Sequence, residues 1–233
     1  AGLTAGPGAV DMLDGVGSAA QFASETAAIA SDSAGVLYLG DNYGVRRIAL
    51  DNSTTLLAGS RSTAGGVDGN AGSARFGAIW GLAVKPNGEV FVGDGNNAVR
   101  RIDGAGNVST YAGLLGVSGS ADGAAGAARF TAPRQVAFAP DGSLYVVDRS
   151  VIDTTIRKVS ADGSTVATLP LPANSQVTAL AVDAAGTLYY GSNTTGLMKW
   201  PVGGSPSVVV PHGAGVQLGA NPTLWNIDGI AVR

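Results

Sequence analysis

An all-β protein assembled from repeated four-stranded units is what this sequence predicts, on three observations. The first is a period. Asp14, Asp68 and Asp122 stand 54 residues apart, and so do Phe22, Phe76 and Phe130. A repeat of this length marks copies of one supersecondary unit, none able to bury its apolar face alone. The second is composition: 36 of 233 residues are glycine and only 13% are charged, about half the ~25% of ordinary domains. Short strands joined by tight turns suit that balance better than helices do. The third is alternation, since short runs switch between large apolar and small or polar residues with period two, and no helical period competes.

Each unit opens on a strand centred on alanine. Five such runs align: Ala28-Ile29-Ala30-Ser31, Gly81-Leu82-Ala83-Val84, Gln135-Val136-Ala137-Phe138, Ala179-Leu180-Ala181-Val182 and Gly229-Ile230-Ala231-Val232. A small residue at a fixed place implies close approach of neighbouring backbones. A glycine turn follows the first four, at Gly35, Gly88, Gly142 and Gly186, positions where a positive φ is useful. The second strands read Val36 to Leu39, Val90 to Val92, Leu144 to Val147 and Leu188 to Tyr190. The third read Val45-Arg46-Arg47-Ile48, Val99-Arg100-Arg101-Ile102, Ile156-Arg157-Lys158-Val159 and Leu197-Met198-Lys199-Trp200. A β-branched or apolar fourth strand closes each unit: Thr54 to Leu57, Val108 to Tyr111, Thr165 to Leu169 and Ser207 to Val210. Four strands per unit with an alanine-rich first strand is the organisation of a β-propeller blade. The chain therefore reads as one domain over 1–233. A leading loop covers 1–24, blades begin near 25, 79, 132 and 176, and a partial fifth covers 224–233, either truncated or closed by the termini.

Ala58-Gly59, Asp68-Gly69, Ala74-Arg75-Phe76, Val92-Gly93-Asp94 and Val99-Arg100-Arg101-Ile102, repeated as Ala112-Gly113, Asp122-Gly123, Ala128-Arg129-Phe130, Val147-Asp148 and Ile156-Arg157-Lys158, resemble the NHL-repeat family of β-propellers, in its long bacterial form with a DG loop before each ARF. The resemblance covers nearly the whole chain and implies the fold. It implies little about activity, because one scaffold hosts many chemistries. The fourth unit departs from it, with Ser192 in place of the aspartate and no ARF loop ahead of it.

Asp41, Asp94 and Asp148 end the second strands, while Arg46, Arg100 and Arg157 sit in the third. In the fourth unit both disappear together, replaced by Ser192 and Met198. Such paired loss predicts that carboxylate and guanidinium satisfy each other across the hairpin, a structural role. Asp14, Asp68 and Asp122 precede glycine and read as turn residues accepting backbone N–H bonds, with a bound cation as the alternative. Arg75 and Arg129 are expected over neighbouring loops, and Phe76 and Phe130 as core plugs.

Function belongs where the repeat is broken. Three residues before each central alanine stand Ala27, Trp80, Arg134, Thr178 and Asp228, five different chemistries in one slot, with Trp225 close by. Trp80, Arg134, Thr178, Trp225 and Asp228 are the expected ligand-binding set, an aromatic platform with a cation, a hydroxyl and a carboxylate; the structural alternative is that Trp80 and Trp225 plug the axis and Arg134 pairs with Asp228. The expected ligand is a glycan, peptide or protein, and the expected role is a non-enzymatic recognition scaffold without a cofactor. One alternative resembles the gluconolactonase-like propellers: Glu25, Asn226 and Asp228 would hold Ca²⁺ or another divalent cation for a metal-assisted hydrolase or lyase, with Arg134 polarising substrate oxygens. A further alternative is an assembly module that pairs a partner chain, or a second copy, along open strand edges near Ile227 to Val232. The longer loop Arg149 to Thr154 presents Val151-Ile152 as another contact surface.

Other classes are excluded. Cysteine is absent and His212 is the sole histidine, so neither thiolate chemistry nor a multi-histidine metal centre is available. The net charge of −3 opposes nucleic-acid binding. No run reaches the ~18 apolar residues of a membrane span. No glycine-rich loop opens a helix, as a phosphate cradle requires, and no nucleophile elbow occurs. The Ala/Gly/Ser/Thr-rich, sparsely charged surface suggests a secreted or periplasmic protein whose signal segment has been removed.

Overall fold

The alternating runs form antiparallel meanders. The computed structural model describes residues 13–23, 26–150, 154–172, 174–211 and 230. The expectations for Glu25, Val151-Ile152, His212, Trp225, Asn226 and Asp228 fall outside these residues, as does the side chain of Ala27. A two-residue strand β1 (Gly15–Val16) precedes sheet one, which comprises β2 (Thr26–Ser31), β3 (Leu37–Asp41), β4 (Tyr43–Ile48) and β5 (Ser53–Ser60). Sheet two holds β6 (Ile79–Val84), β7 (Val90–Asp94), β8 (Ala98–Ile102) and β9 (Val108–Gly113). Next come β10 (Gly123–Ala124) and sheet three: β11 (Pro133–Phe138), β12 (Leu144–Arg149), β13 (Thr154–Val159) and β14 (Thr165–Thr168). Sheet four is β15 (Val177–Val182), β16 (Leu188–Ser192), β17 (Gly196–Trp200) and β18 (Ser207–Pro211). Strands neighbour one another in chain order, except that β1 and β10 lie outside β5 and β14.

Cores form between sheets. One cluster joins Val36, Tyr38 and Val45 of sheet one to Leu82, Val90 and Val92 of sheet two; a second joins sheets two and three; a third joins three and four. Each apolar face is thus buried only by the next repeat. Backbones meet most closely at Gly81 and Gly93, where an added Cβ would lie within 3.0 Å of the Arg134 carbonyl oxygen. The close approach expected at alanine is therefore sharpest at these two glycines. Gly59 and Gly113, in the repeated Ala-Gly pair, have φ of +95° and +96°. They turn the outer strand into the DG loop directly over Phe76 and Phe130.

The loop is latched by the third-strand arginine. Arg100 is fully buried. It donates from Nη1 to Asp94 at 2.8 Å and to the Arg75 carbonyl at 3.1 Å, from Nη2 to the Val67 carbonyl at 2.8 Å, and from Nε and Nη2 to Asp68 at 3.0 and 2.6 Å. Its guanidinium carbon lies 5.1 Å from the centre of the Phe76 ring. Arg46 repeats the pattern with Asp41 and Asp14 over Phe22, and Arg157 with Asp148 and Asp122 over Phe130. The expected hairpin pairs are present at 3.1, 2.8 and 3.3 Å.

Two expectations need correction. Asp14, Asp68 and Asp122 are more than local turn residues. Each binds the arginine and also accepts a backbone N–H from the outer strand, at Leu56, Thr110 and Thr168, because the loop folds back on the sheet that follows it. Arg75 and Arg129 do not reach neighbouring loops; they cap carbonyls of their own loop, at Gly72 and Ala74 and at Gly126, Ala127 and Ala128. Phe76 and Phe130 are fully buried. In sheet four the Ser192 hydroxyl donates to the Ser175 carbonyl and accepts from Thr194 N–H. No negative charge is buried there, so buried Met198 replaces the arginine without leaving an unpaired ion.

Candidate functional site

The slot singled out above lies on a β-bulge. In sheet two Ile79 pairs with Asp94 and Gly81 with Gly93, so Trp80 is the extra residue. In sheet three Pro133 pairs with Asp148 and Val136 with Val146, so Arg134 and Gln135 face Val147 alone. Sheet four repeats this at Thr178, and sheet one at position 27. A bulge re-aims its side chain out of the ladder, which explains how one slot tolerates such different residues.

Arg134 is fixed from three sides. Its carbonyl seats against Gly81 and Gly93 of sheet two. The neighbouring Gln135 Oε1 accepts the Leu180 N–H of sheet four at 3.0 Å. Upstream, Asp148 accepts the N–H groups of Thr131 and Ala132 at 3.0 and 2.8 Å, and Arg149 N–H donates to the Ala132 carbonyl at 3.1 Å. The guanidinium then lies over the Trp80 ring, 4.2 Å from its centre, while 37% of Trp80 stays exposed. Burial, and then the Arg149 charge, push the Arg134 pKa down from its ordinary value. Nε of Arg134 is buried without a hydrogen-bond partner, and among the described residues no carboxylate pairs with this side chain.

The structure thus unites Trp80 and Arg134. Thr178 occupies the equivalent bulge on β15, half-buried and already engaged in an interaction of its own. Trp225 and Asp228, and the cation set Glu25, Asn226 and Asp228, fall outside the described residues. Among the described residues no three Asp, Glu or His side chains are grouped to hold a metal ion. The sequence reading missed Arg149, although a signal was available: Asn42, Gly95 and Asn193 hold the equivalent position after the strand-ending residue, so Arg149 breaks the repeat. A stacked, partly desolvated guanidinium beside a second cation and an open indole face can bind a carboxylate and a flat apolar surface together. Among the described residues, Trp80, Arg134 and Arg149 themselves offer neither a nucleophile nor a general base.

No family model matches the chain, and no curated protein matches it. Solved structures do. A catalytically inactive variant of virginiamycin B lyase from Staphylococcus aureus, crystallised with quinupristin, is 16% identical with a TM-score of 0.56, over 81% of this chain and 57% of that one. A gluconolactonase-like protein is 16% identical with a TM-score of 0.55, over 76% and 60%. The extracellular domain of a protein of the hybrid two-component-system type from B. thetaiotaomicron is 15% identical with a TM-score of 0.57, over 88% and 25%. These neighbours are β-propellers. The fold is a β-propeller. The chain spans between a quarter and three fifths of these neighbours' lengths, and at such identities the likeness concerns the blades alone. Among the described residues no helix is long and apolar enough to cross a membrane.

Proposed function

We propose that the protein is a recognition scaffold of a bacterial cell exterior, binding an acidic glycan or peptide on the rim formed by the bulges of its inner strands. One observation carries this reading: among the described residues Arg134 is held on Trp80 with its Nε buried and no carboxylate paired to it, whereas the fully buried Arg46, Arg100 and Arg157 are each ion-paired. A ligand carboxylate would pair with this guanidinium, and the exposed Trp80 edge would pack a sugar or side-chain face. Thr178 lies one blade further along the same rim, and Trp225 and Asp228 are the positions expected to extend it. Likeness to an extracellular propeller domain supports the setting outside the cytoplasm.

A panel of uronic-acid glycans and acidic peptides, read by calorimetry, tests the proposal. Arg134→Met and Trp80→Ala should each weaken the best ligand by roughly tenfold or more with an unchanged melting temperature. A best ligand that is uncharged, or that ignores both variants, would overturn it. Turnover of a bound lactone or cyclic ester that stops in chelator would replace it with the metal-assisted hydrolase or lyase alternative.

A further inference from the structure

Because blades share register, each inter-blade interface can be compared with the next. Between blades two and three, Phe91 on β7 meets Phe138 on β11 and Tyr111 on β9 edge-to-face, both at 4.8 Å. The Lys85 ammonium closes over the two phenyl rings at 4.9 and 5.0 Å. One blade further, the pairs Ala137–Tyr145 and Val182–Leu188 correspond to Ala83–Phe91 and Phe138–Leu144. Tyr145 therefore replaces Phe91 and Val182 replaces Phe138. By the same alignment Leu169 stands for Tyr111 and Ala139 for Lys85. Three large groups have become small.

Between blades three and four lies a cleft of about 370 Å³ lined by Ala139, Tyr145, Leu169 and Trp200, with Asp141 and Lys158 at its mouth. The turn glycines report the same difference. A Cβ on Gly163 would strike the Tyr111 ring at 2.8 Å, whereas one on Gly204, which makes the same turn bond to Pro201, would meet only Pro201 of its own turn at 3.5 Å. Trp200 takes the strand position where Ile102 and Val159 are fully buried. Its indole N–H donates to the Gly204 carbonyl at 2.9 Å, which holds the ring as a wall. Tyrosine, valine and leucine in these places do not suffice for the cleft, since Tyr38, Val84 and Leu57 hold them between blades one and two; Ala139 and Trp200 are what differ, in place of Asp32 and Ile102. Between blades one and two, Tyr38 is only 5% exposed and its hydroxyl donates to Asp32.

We propose that the cleft between blades three and four binds a small molecule bearing one aromatic ring, seated against Tyr145, Leu169 and Trp200, with a polar substituent reaching the Asp141–Lys158 pair. The volume falls in the range of ligand pockets, and the walls offer a phenol edge and an indole for edge-to-face contact. Asp141 and Lys158 stand 3.5 Å apart at the solvent edge, close enough for both to hydrogen-bond one substituent. The site lies at the strand ends opposite the bulges, so it stands independently of the rim.

The test uses the intact chain with p-cresol, its saturated analogue 4-methylcyclohexanol, and a blocked phenylalanine-containing pentapeptide, followed by ligand-observed NMR and tryptophan fluorescence. p-Cresol should bind with a Kd on the order of 1 mM or tighter, and the saturated analogue at least about fivefold more weakly because the edge-to-face contact is lost. Leu169→Tyr should abolish p-cresol binding while keeping or raising the melting temperature, since it restores the ring that Tyr111 supplies at the preceding interface. Should Leu169→Tyr fail to fold, Ala139→Met fills the same cleft and should block binding likewise. No p-cresol binding, equal affinity for the saturated analogue, tighter binding of the pentapeptide, or full binding by a folded cavity-filled variant would each overturn the proposal.

Discussion

Arg100 engages every one of its N–H groups while wholly excluded from water, and so ties hairpin, loop and aromatic plug at one point. Removing the cation alone leaves Asp94 buried and uncompensated, which costs roughly 3–5 kcal/mol. For a chain of this size Arg100→Met should lower the melting temperature by roughly 10 °C. Blade four supplies the control, because Ser192 and Met198 occupy these two positions together. Asp94→Ser combined with Arg100→Met should therefore be more stable than Arg100→Met alone, with a coupling of roughly 1–3 kcal/mol in a double-mutant cycle. Additive losses, measured by urea denaturation, would rule out this account of the paired replacement. The pairing was legible in the sequence because both partners vanish from one repeat. The carbonyls that complete the latch were not, since every residue carries one.

Among the elements, spacing between blades is set by backbone against backbone. Gly93→Ala would drive a methyl group into the Arg134 and Pro133 carbonyls and should cost roughly 2–4 kcal/mol, at or above the usual range for overpacking. Gly72→Ala, whose added Cβ meets nothing within 4 Å, should change stability by less than about 0.5 kcal/mol. Thermal unfolding of the two variants decides; equal shifts would mean that the blades yield easily. Outer edges differ as well. In the first three blades the DG loop covers the outer strand, through β1, the Gly69–Val108 bridge and β10. Among the described residues nothing equivalent pairs with β18, where Val208 and Val209 are 50% and 45% exposed. Strand positions were readable from alternation because one face of each strand is buried. The bulges were not, since a period-two pattern slips past one extra residue, yet that residue is what points Trp80 and Arg134 outward. The cleft escaped because its walls come from residues scattered over two blades, each ordinary by itself.

For the whole molecule, acid stability is a contest between carboxylates of opposite sense. Burial pushes Asp148 up from the ordinary range, against the N–H groups of Ala132 and Thr131 and the charge of Arg157; Asp94 behaves alike. Burial also acts on Asp122, but the Thr168 N–H and hydroxyl and Arg157 outweigh it and hold that carboxyl below the ordinary range. A raised acid binds protons more tightly when folded, so its contribution is fully present below the unfolded value of ~3.9 and is lost as pH rises through the folded one. A lowered acid contributes above ~3.9 and loses that contribution as pH falls through its folded value. Between neutral pH and about pH 4 the wild-type protein should therefore gain stability relative to Asp148→Asn, and below about pH 4 it should lose stability relative to Asp122→Asn. Urea titrations at a series of pH values give both signs directly, and a reversal of either would contradict the assignment.

The latch has an evolutionary corollary. Asp68, Phe76, Asp94 and Arg100 lie within one stretch shorter than the 54-residue period, so a tandem duplication of that stretch would arrive with its own fastening and ask nothing new of the host. Growth by copying is cheap for such a cassette, and blade four, which lacks the fastening, would make a poor seed for it.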